Sequence, residues 1–193
     1  VGFRMPGFNS KESMMNEMVD MLLNNSQAGL FDLNLVKDQK VLRAGSFIND
    51  MKDYSIHMVY GSPKSGQTLT QVKDLMIAQL NKVKKGEFSD TLMQSIILDY
   101  NISKMKSYET NQGIIKDLTS SFTYDLDWAE YQNRLYYQSQ ITKKEIIAFV
   151  NEYYTNDYVI VYKEQGNPEE NPSIPKPQIT PVELNRDKTS EFV

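Results

Sequence analysis

Apolar residues recur with two different periods along the chain, and the places where the period changes mark its elements. Residues 1–5 read as a short strand stopped by Pro6 and Gly7. Met14, Met15, Met18, Leu22 and Leu23 then recur at helical intervals, behind an Asn9/Glu12 pair with capping-box spacing, and run into the turn formers Asn24, Asn25 and Ser26. Gly29 separates this helix from a shorter one, residue 30 to about 38, with Leu30, Phe31, Leu33 and Leu35 as its apolar positions. Period two takes over over residues 41–48 and 54–60, predicted as hairpin strands joined through Asn49-Asp50-Met51-Lys52-Asp53. In the second of them Tyr54, Ile56, Met58 and Tyr60 point one way and Ser55, His57 and Val59 the other, as a sheet with one covered face requires.

After the break Gly61-Ser62-Pro63-Lys64-Ser65-Gly66 the helical period returns, with Leu69, Val72, Leu75, Met76, Leu80 and Val83 on one stripe up to Gly86. Ser89 is placed to cap a helix that carries Leu92, Ile96, Ile97, Tyr100 and Met105 to about residue 106. A helix at about 111–122 follows, then an aromatic one at 128–140 capped by Asp127, then one at 143–154 opened by the capping-box pair Thr142 and Glu145. Residues 158–162 read as a last strand with apolar residues on both faces. Beyond residue 163 the pattern stops: residues 164–193 hold five of the seven prolines, which predicts an extended linker or arm toward a following domain. The division expected is therefore a domain over 1–163 and a Pro-rich stretch over 164–193. The chain opens on Val1 rather than Met, as expected of a fragment or processed product.

Composition narrows the chemistry. No apolar run approaches the ~18 residues of a membrane span, so none is expected. The 25 acidic and 21 basic residues, net charge −4, are spread along the chain, which argues against nucleic acid because phosphate binding needs clustered cations. The short basic runs Lys82, Lys84, Lys85 and Lys143, Lys144 read as solvated helix faces. With no cysteine and a single histidine, the chain cannot build a His/Cys zinc centre or a histidine-pair hydrolytic site. His57, mid-strand, reads as a hydrogen-bonded, partly buried residue rather than a ligand. Trp128, Tyr131, Tyr136 and Tyr137 read as packing residues against a helix or partner domain rather than a sugar or peptide groove. Asp125, Asp127 and Glu130 lack the glycine and terminal glutamate of a calcium loop and read as a helix cap. The 61–66 loop lacks the G-x-x-x-x-G-K-[ST] order that wraps phosphates. No catalytic, cofactor-binding or metal-ligating residue is therefore assigned in this chain.

The order strand, long helix, short helix, hairpin, helix-rich block, strand resembles the second-half domains of the insulinase/pitrilysin zinc metallopeptidases. Val1-Gly2-Phe3-Arg4-Met5-Pro6-Gly7 is similar to that family's opening strand with its Pro-Gly turn, and Leu22-Leu23-Asn24-Asn25 before Gly29-Leu30-Phe31 to its entry into the short helix. Tyr54-Ser55-Ile56-His57-Met58-Val59-Tyr60-Gly61, Thr142-Lys143-Lys144-Glu145-Ile146 and Tyr158-Val159-Ile160-Val161-Tyr162 resemble its middle strand, last helix and closing strand. The resemblance covers about residues 1–163. It implies an α+β, two-layer fold of the insulinase/mitochondrial-processing-peptidase half-domain kind, an antiparallel sheet with helices on one face.

In that family an inverted H-x-x-E-H on a helix of the first domain holds zinc; here the motif is absent. The Arg and Tyr by which a last domain holds substrate backbone have no counterpart either: alignment through Lys37-Asp38-Gln39 places Leu35 and Leu42 there, and Arg43 is expected on the opposite face of the strand. The resemblance thus implies a non-catalytic domain that forms chamber wall and interface around a peptide substrate. Zinc would be supplied by the parent enzyme's preceding domain, on the same chain or in a partner subunit. Two alternatives remain, a structural scaffold subunit of the same fold and a stand-alone peptide-binding module using strand addition. Self-association of the fragment through exposed apolar surface is a further expectation.

Overall fold

The computed structural model describes residues 1–166 and 175–181 and divides the chain into two units, Val1–Tyr162 and Lys163–Val193. In the second unit, residues 163–166 and 175–181 are exposed and carry neither helix nor strand; the remainder of the Pro-rich stretch lies outside the described residues.

The first unit is built on a three-stranded antiparallel sheet of order β1-β3-β2, with β1 Gly2–Pro6, β2 Arg43–Asn49 and β3 Tyr54–Ser62. Phe3 lies opposite His57 and Met5 opposite Ser55, while Ser46 lies opposite Val59 and Ile48 opposite His57. This register puts Phe3, Met5, Ser55, His57 and Val59 on the face that the helices cover. The other face carries Arg4, Tyr54, Ile56, Met58, Tyr60 and Phe47, with the Arg4 guanidinium 5.2 Å from the Tyr54 ring.

Helix α1 (Lys11–Leu23) lies against all three strands and buries Met18, Val19, Leu22 and Leu23 completely, each such side chain worth about 1.5–3 kcal/mol of transfer free energy. Helix α2 (Leu69–Lys84) packs on β3, and α6 (Lys143–Tyr153) on α1, α2 and β1. Helices α3 (Asp90–Ser107), α4 (Asn111–Thr123) and α5 (Trp128–Gln140) extend the helical side, with α3 and α5 meeting α1 and α4 meeting α3 and α5. The caps at Ser89, Asp127 and Thr142 form as their sequences predict, Thr142 as a full capping box with Glu145. Thr68 and Gln71 make a second such box at the start of α2. Gly86 terminates that helix at φ +72°, a left-handed conformation that favours glycine.

Four local expectations change. Ser10, not Asn9, caps α1: its hydroxyl accepts from Ser13 N at 3.2 Å while donating to Gly7 O at 2.7 Å. The short helix is wound as a π-helix over Asp32–Lys37, and Asp32 Oδ2 turns back to accept from Asn25 N and Gly29 N at 2.9 and 3.2 Å. The hairpin strands run Arg43–Asn49 and Tyr54–Ser62, two residues later at the first start and longer at both ends. The predicted last strand reduces to one bridge, in which Gly2 and Val159 exchange hydrogen bonds of 2.8 and 3.0 Å. That antiparallel register sets Val1 opposite Ile160, and Val161 and Tyr162 are exposed.

Candidate functional site

Helix α1 carries a second stripe beside its apolar one. Ser13, Asn16, Glu17 and Asp20 recur at i, i+3, i+4 and i+7, which puts four polar groups on one face, and Ser13 and Asn16 are fully buried. Three elements meet this stripe: β3 brings His57, the end of α6 brings Tyr154, and α5 brings Arg134 and Gln138.

His57 has no exposed surface. Its Nε2 is hydrogen-bonded to Asp20 Oδ1 at 3.0 Å and its Nδ1 to the Tyr154 hydroxyl, which in turn donates to Asn16 Oδ1 at 2.8 Å. Neither ring nitrogen is open to a further ligand. Burial, together with the Asp20 carboxylate, pushes the Tyr154 hydroxyl well above its ordinary value, so it serves as a neutral link.

One turn away, the Arg134 guanidinium donates to Phe8 O at 3.0 Å, Ser13 Oγ at 3.1 Å and Glu17 Oε1 at 2.8 Å, and lies 4.0 Å from the Phe8 ring. Gln138 Nε2 donates to the other Glu17 oxygen. Burial nevertheless pushes the Glu17 carboxyl above its ordinary range, with Arg134 opposing and Asp50 adding to the shift. Asp50, in the β2–β3 turn, accepts from Ser55 Oγ at 3.1 Å and is likewise raised by burial.

Glu17, Asp50, Arg134 and Gln138 form the floor of an open cleft of about 570 Å³ whose walls are α3, α4 and α5, through Tyr100, Lys104, Asp117 and Tyr131 among others. Lys104 pairs with Asp117 across the α3–α4 hairpin, and Tyr131 donates to Asp117 Oδ1 at 3.1 Å. Burial and the Asp117 carboxylate push the Tyr131 hydroxyl up to about 12. The cleft is polar, and two of its charge pairs, Lys104 with Asp117 and Arg134 with Glu17, are closed within it.

The spacing Ser13-x-x-Asn16-Glu17 is the i, i+3, i+4 geometry that a zinc-binding H-x-x-E-H helix uses, with a hydroxyl, an amide and a carboxylate in its places and a guanidinium among them. A cation in that position repels a metal ion, and the one imidazole is committed elsewhere, so these residues do not fit zinc. Among the described residues no group of three or more His, Cys, Asp or Glu side chains is placed to hold a metal ion.

The other sequence candidates resolve into structural roles. Asp127 caps α5, and Asp125, at φ +56°, pairs with Lys52 at 2.8 Å. Lys143 is not a free surface cation: its Nζ donates to Phe88 O and lies 4.7 Å from the Phe88 ring. Tyr131 packs at 6.2 Å on Phe8 and Trp128 stacks on Tyr131 at 5.9 Å, whereas Tyr136 and Tyr137 face outward. The 61–66 loop borders a shallow depression, and its Lys64 donates to Gln39 O at 2.6 Å. Leu35 is buried in the core, Leu42 is exposed, and Arg43 lies on the outer face of β2. The buried stripe of α1 is the feature that sequence inspection missed. Its signal was the i, i+3, i+4, i+7 recurrence of Ser13, Asn16, Glu17 and Asp20, which resembles an ordinary solvated helix face.

The same arrangement of helices and sheet is found in solved peptidase structures. A peptidase M16 inactive domain from Pseudomonas fluorescens superposes with TM-score 0.64 at 13% identity, over 79% of this chain and 36% of that one. The chain has the fold of an M16 peptidase inactive domain. A protease from Helicobacter pylori matches with TM-score 0.76 at 16% identity over 80% of this chain, which spans only 38% of the Helicobacter chain. A candidate zinc protease from Bordetella pertussis Tohama I matches with TM-score 0.70 at 11% identity over 81% of this chain and 87% of that one. No protein-family model and no curated protein sequence matches the chain. No helix among the described residues is long and apolar enough to cross a membrane.

Proposed function

We propose that this chain is a non-catalytic domain of a zinc metallopeptidase, contributing wall and inter-domain surface to a chamber that holds a peptide substrate. The zinc and its general base would come from another domain. The observation that supports this most is the state of α1 and β3: Arg134 neutralises Glu17, and His57 is bonded through both nitrogens, in a fold shared with inactive peptidase domains. A site with its donors internally satisfied contributes shape rather than chemistry. The test is reconstitution. The half carrying H-x-x-E-H, encoded in the same or a neighbouring reading frame, is assayed on a quenched peptide with and without this chain in trans. Turnover that depends on adding the chain, with none from the chain alone, is expected; a catalytic half that reaches its full rate without it would overturn the reading.

A second reading, a scaffold subunit without peptidase activity, is favoured by one neighbour, a chain of complex III from Candida albicans with TM-score 0.63 at 8% identity over 78% of this chain. Absence of any H-x-x-E-H half in the assembly purified with this chain would support it.

A further inference from the structure

Helix α4 is turned inside out. It buries Asp117 and Ser121, each 7% exposed, and presents Ile114, Ile115, Leu118 and Phe122 outward, Phe122 at 88% exposure. On α3, Leu98, Ile102 and Met105 recur at i, i+4 and i+7 on the side opposite Tyr100, Lys104 and Ser107, which face the cleft. Both stripes therefore lie on the outer side of one helical hairpin, and an amphipathic helix with its apolar stripe in water marks a surface made for a partner.

We propose that a second copy of this chain covers the α3–α4 face, related to the first by a two-fold axis near Ile102. Two observations select this occupant. The seven side chains expose on the order of 700 Å², close to the ~800 Å² per partner of a standard protein interface. The charges on α3 beside the apolar stripe are also self-complementary. Asp99 and Lys106, both exposed, stand three residues before and four after Ile102, so antiparallel apposition of the two α3 helices sets Asp99 of each copy against Lys106 of the other. The neighbouring positions Thr91, Gln94, Ser95, Asn111, Gln112 and Thr119 are uncharged and exposed, while of the other exposed charges Glu109 lies past the end of α3 and Lys116 lines the cleft, so Asp99 and Lys106 are the charges that flank the α3 stripe. This inference stands independently of the peptidase reading.

The experiment is sedimentation velocity on the purified chain from about 1 to about 100 μM, the range in which an interface of micromolar dissociation constant titrates. Wild type passes from monomer to dimer. Phe122→Asp, at a position the fold leaves in water, stays monomeric with an unchanged melting curve. Asp99→Lys, which turns two attractive contacts into two repulsive ones, weakens dimerisation about tenfold, and Asp99→Lys with Lys106→Asp restores it. A wild-type chain that remains monomeric throughout overturns the proposal, as does a dimer that Phe122→Asp leaves intact. A dimer lost in Asp99→Lys but not regained in the double variant overturns the two-fold arrangement.

Discussion

Replacing Tyr154 by Phe removes one oxygen from the most buried polar junction of the molecule and nothing else. The ring stays in place against Phe3, 4.9 Å between centroids, and against Phe149 at 6.2 Å. Two hydrogen bonds go, the one to His57 Nδ1 and the one donated to Asn16 Oδ1, and both partners are buried. At about 1 kcal/mol per lost bond and a further penalty of similar size for burying the orphaned groups, the loss is about 3 kcal/mol. For a domain of this size that lowers the melting temperature by about 6–12 °C. Urea denaturation followed by Trp128 fluorescence and by circular dichroism measures it, with Tyr137→Phe, at an outward-facing ring, as a control expected to change stability by less than about 0.5 kcal/mol. The midpoint shifts and the slope does not, because the surface exposed on unfolding is the same. If Tyr154→Phe unfolds within about 0.5 kcal/mol of wild type, the junction is not holding α1, β3 and α6 together and the reasoning fails.

Stability should also pass through a maximum in mild acid. Burial raises Glu17 and Asp50 above their ordinary values of 4.5 and 3.8, so the folded chain binds protons more readily than the unfolded one, and stability rises as pH falls from neutral through the raised values. Asp117 runs the other way. Burial opposes it, but Lys104, Tyr108 and Tyr131 hold its carboxyl below 3.8, so its contribution is lost as pH falls through that depressed value. Urea midpoints measured against pH should climb from neutral toward pH 4.5 and then drop, and Glu17→Gln should flatten the climb; a midpoint that falls steadily from neutral would contradict this assignment. Gly7→Ala places a Cβ 2.0 Å from Lys52 O, a backbone atom that cannot step aside, and should cost about 3 kcal/mol or prevent folding. Gly66→Ala, at φ +77° with nothing near, should cost only about 1 kcal/mol in the same assay.

The elements whose ends are written locally were legible in the sequence. Ser89, Asp127 and the Thr142/Glu145 box each act within one turn of their own position, so neighbouring residue types suffice to place them. Asn9 and Ser10 are both good caps, and only the Phe8–Ser13 turn, where Ser13 Oγ donates to Phe8 O at 2.8 Å, selects the second. Residues 158–162 have the apolar content of a strand, but pairing is a property of two segments, and here it amounts to the one bridge between Gly2 and Val159. The same limit hid the polar junction. Asn16, Glu17 and Asp20 carry the residue types of a solvated face, and the groups that make their burial tolerable, His57, Arg134 and Tyr154, arrive from positions 37 to 138 residues away. Likewise α4 was predicted as a helix, whereas the outward direction of its apolar residues depends on how the α3–α4 hairpin pairs Lys104 with Asp117.

The central claim is that α1 and β3 have their polar groups turned to holding the domain together and none left for a metal-activated water. Its most direct measurement is turnover of a quenched peptide library by the purified chain in stoichiometric zinc, with and without a chelator. The account predicts no chelator-sensitive hydrolysis, and none gained when Arg134 is replaced by Ala to empty the space beside Glu17. Chelator-sensitive turnover by the wild-type chain, scaling with its concentration and abolished in His57→Ala, would contradict it.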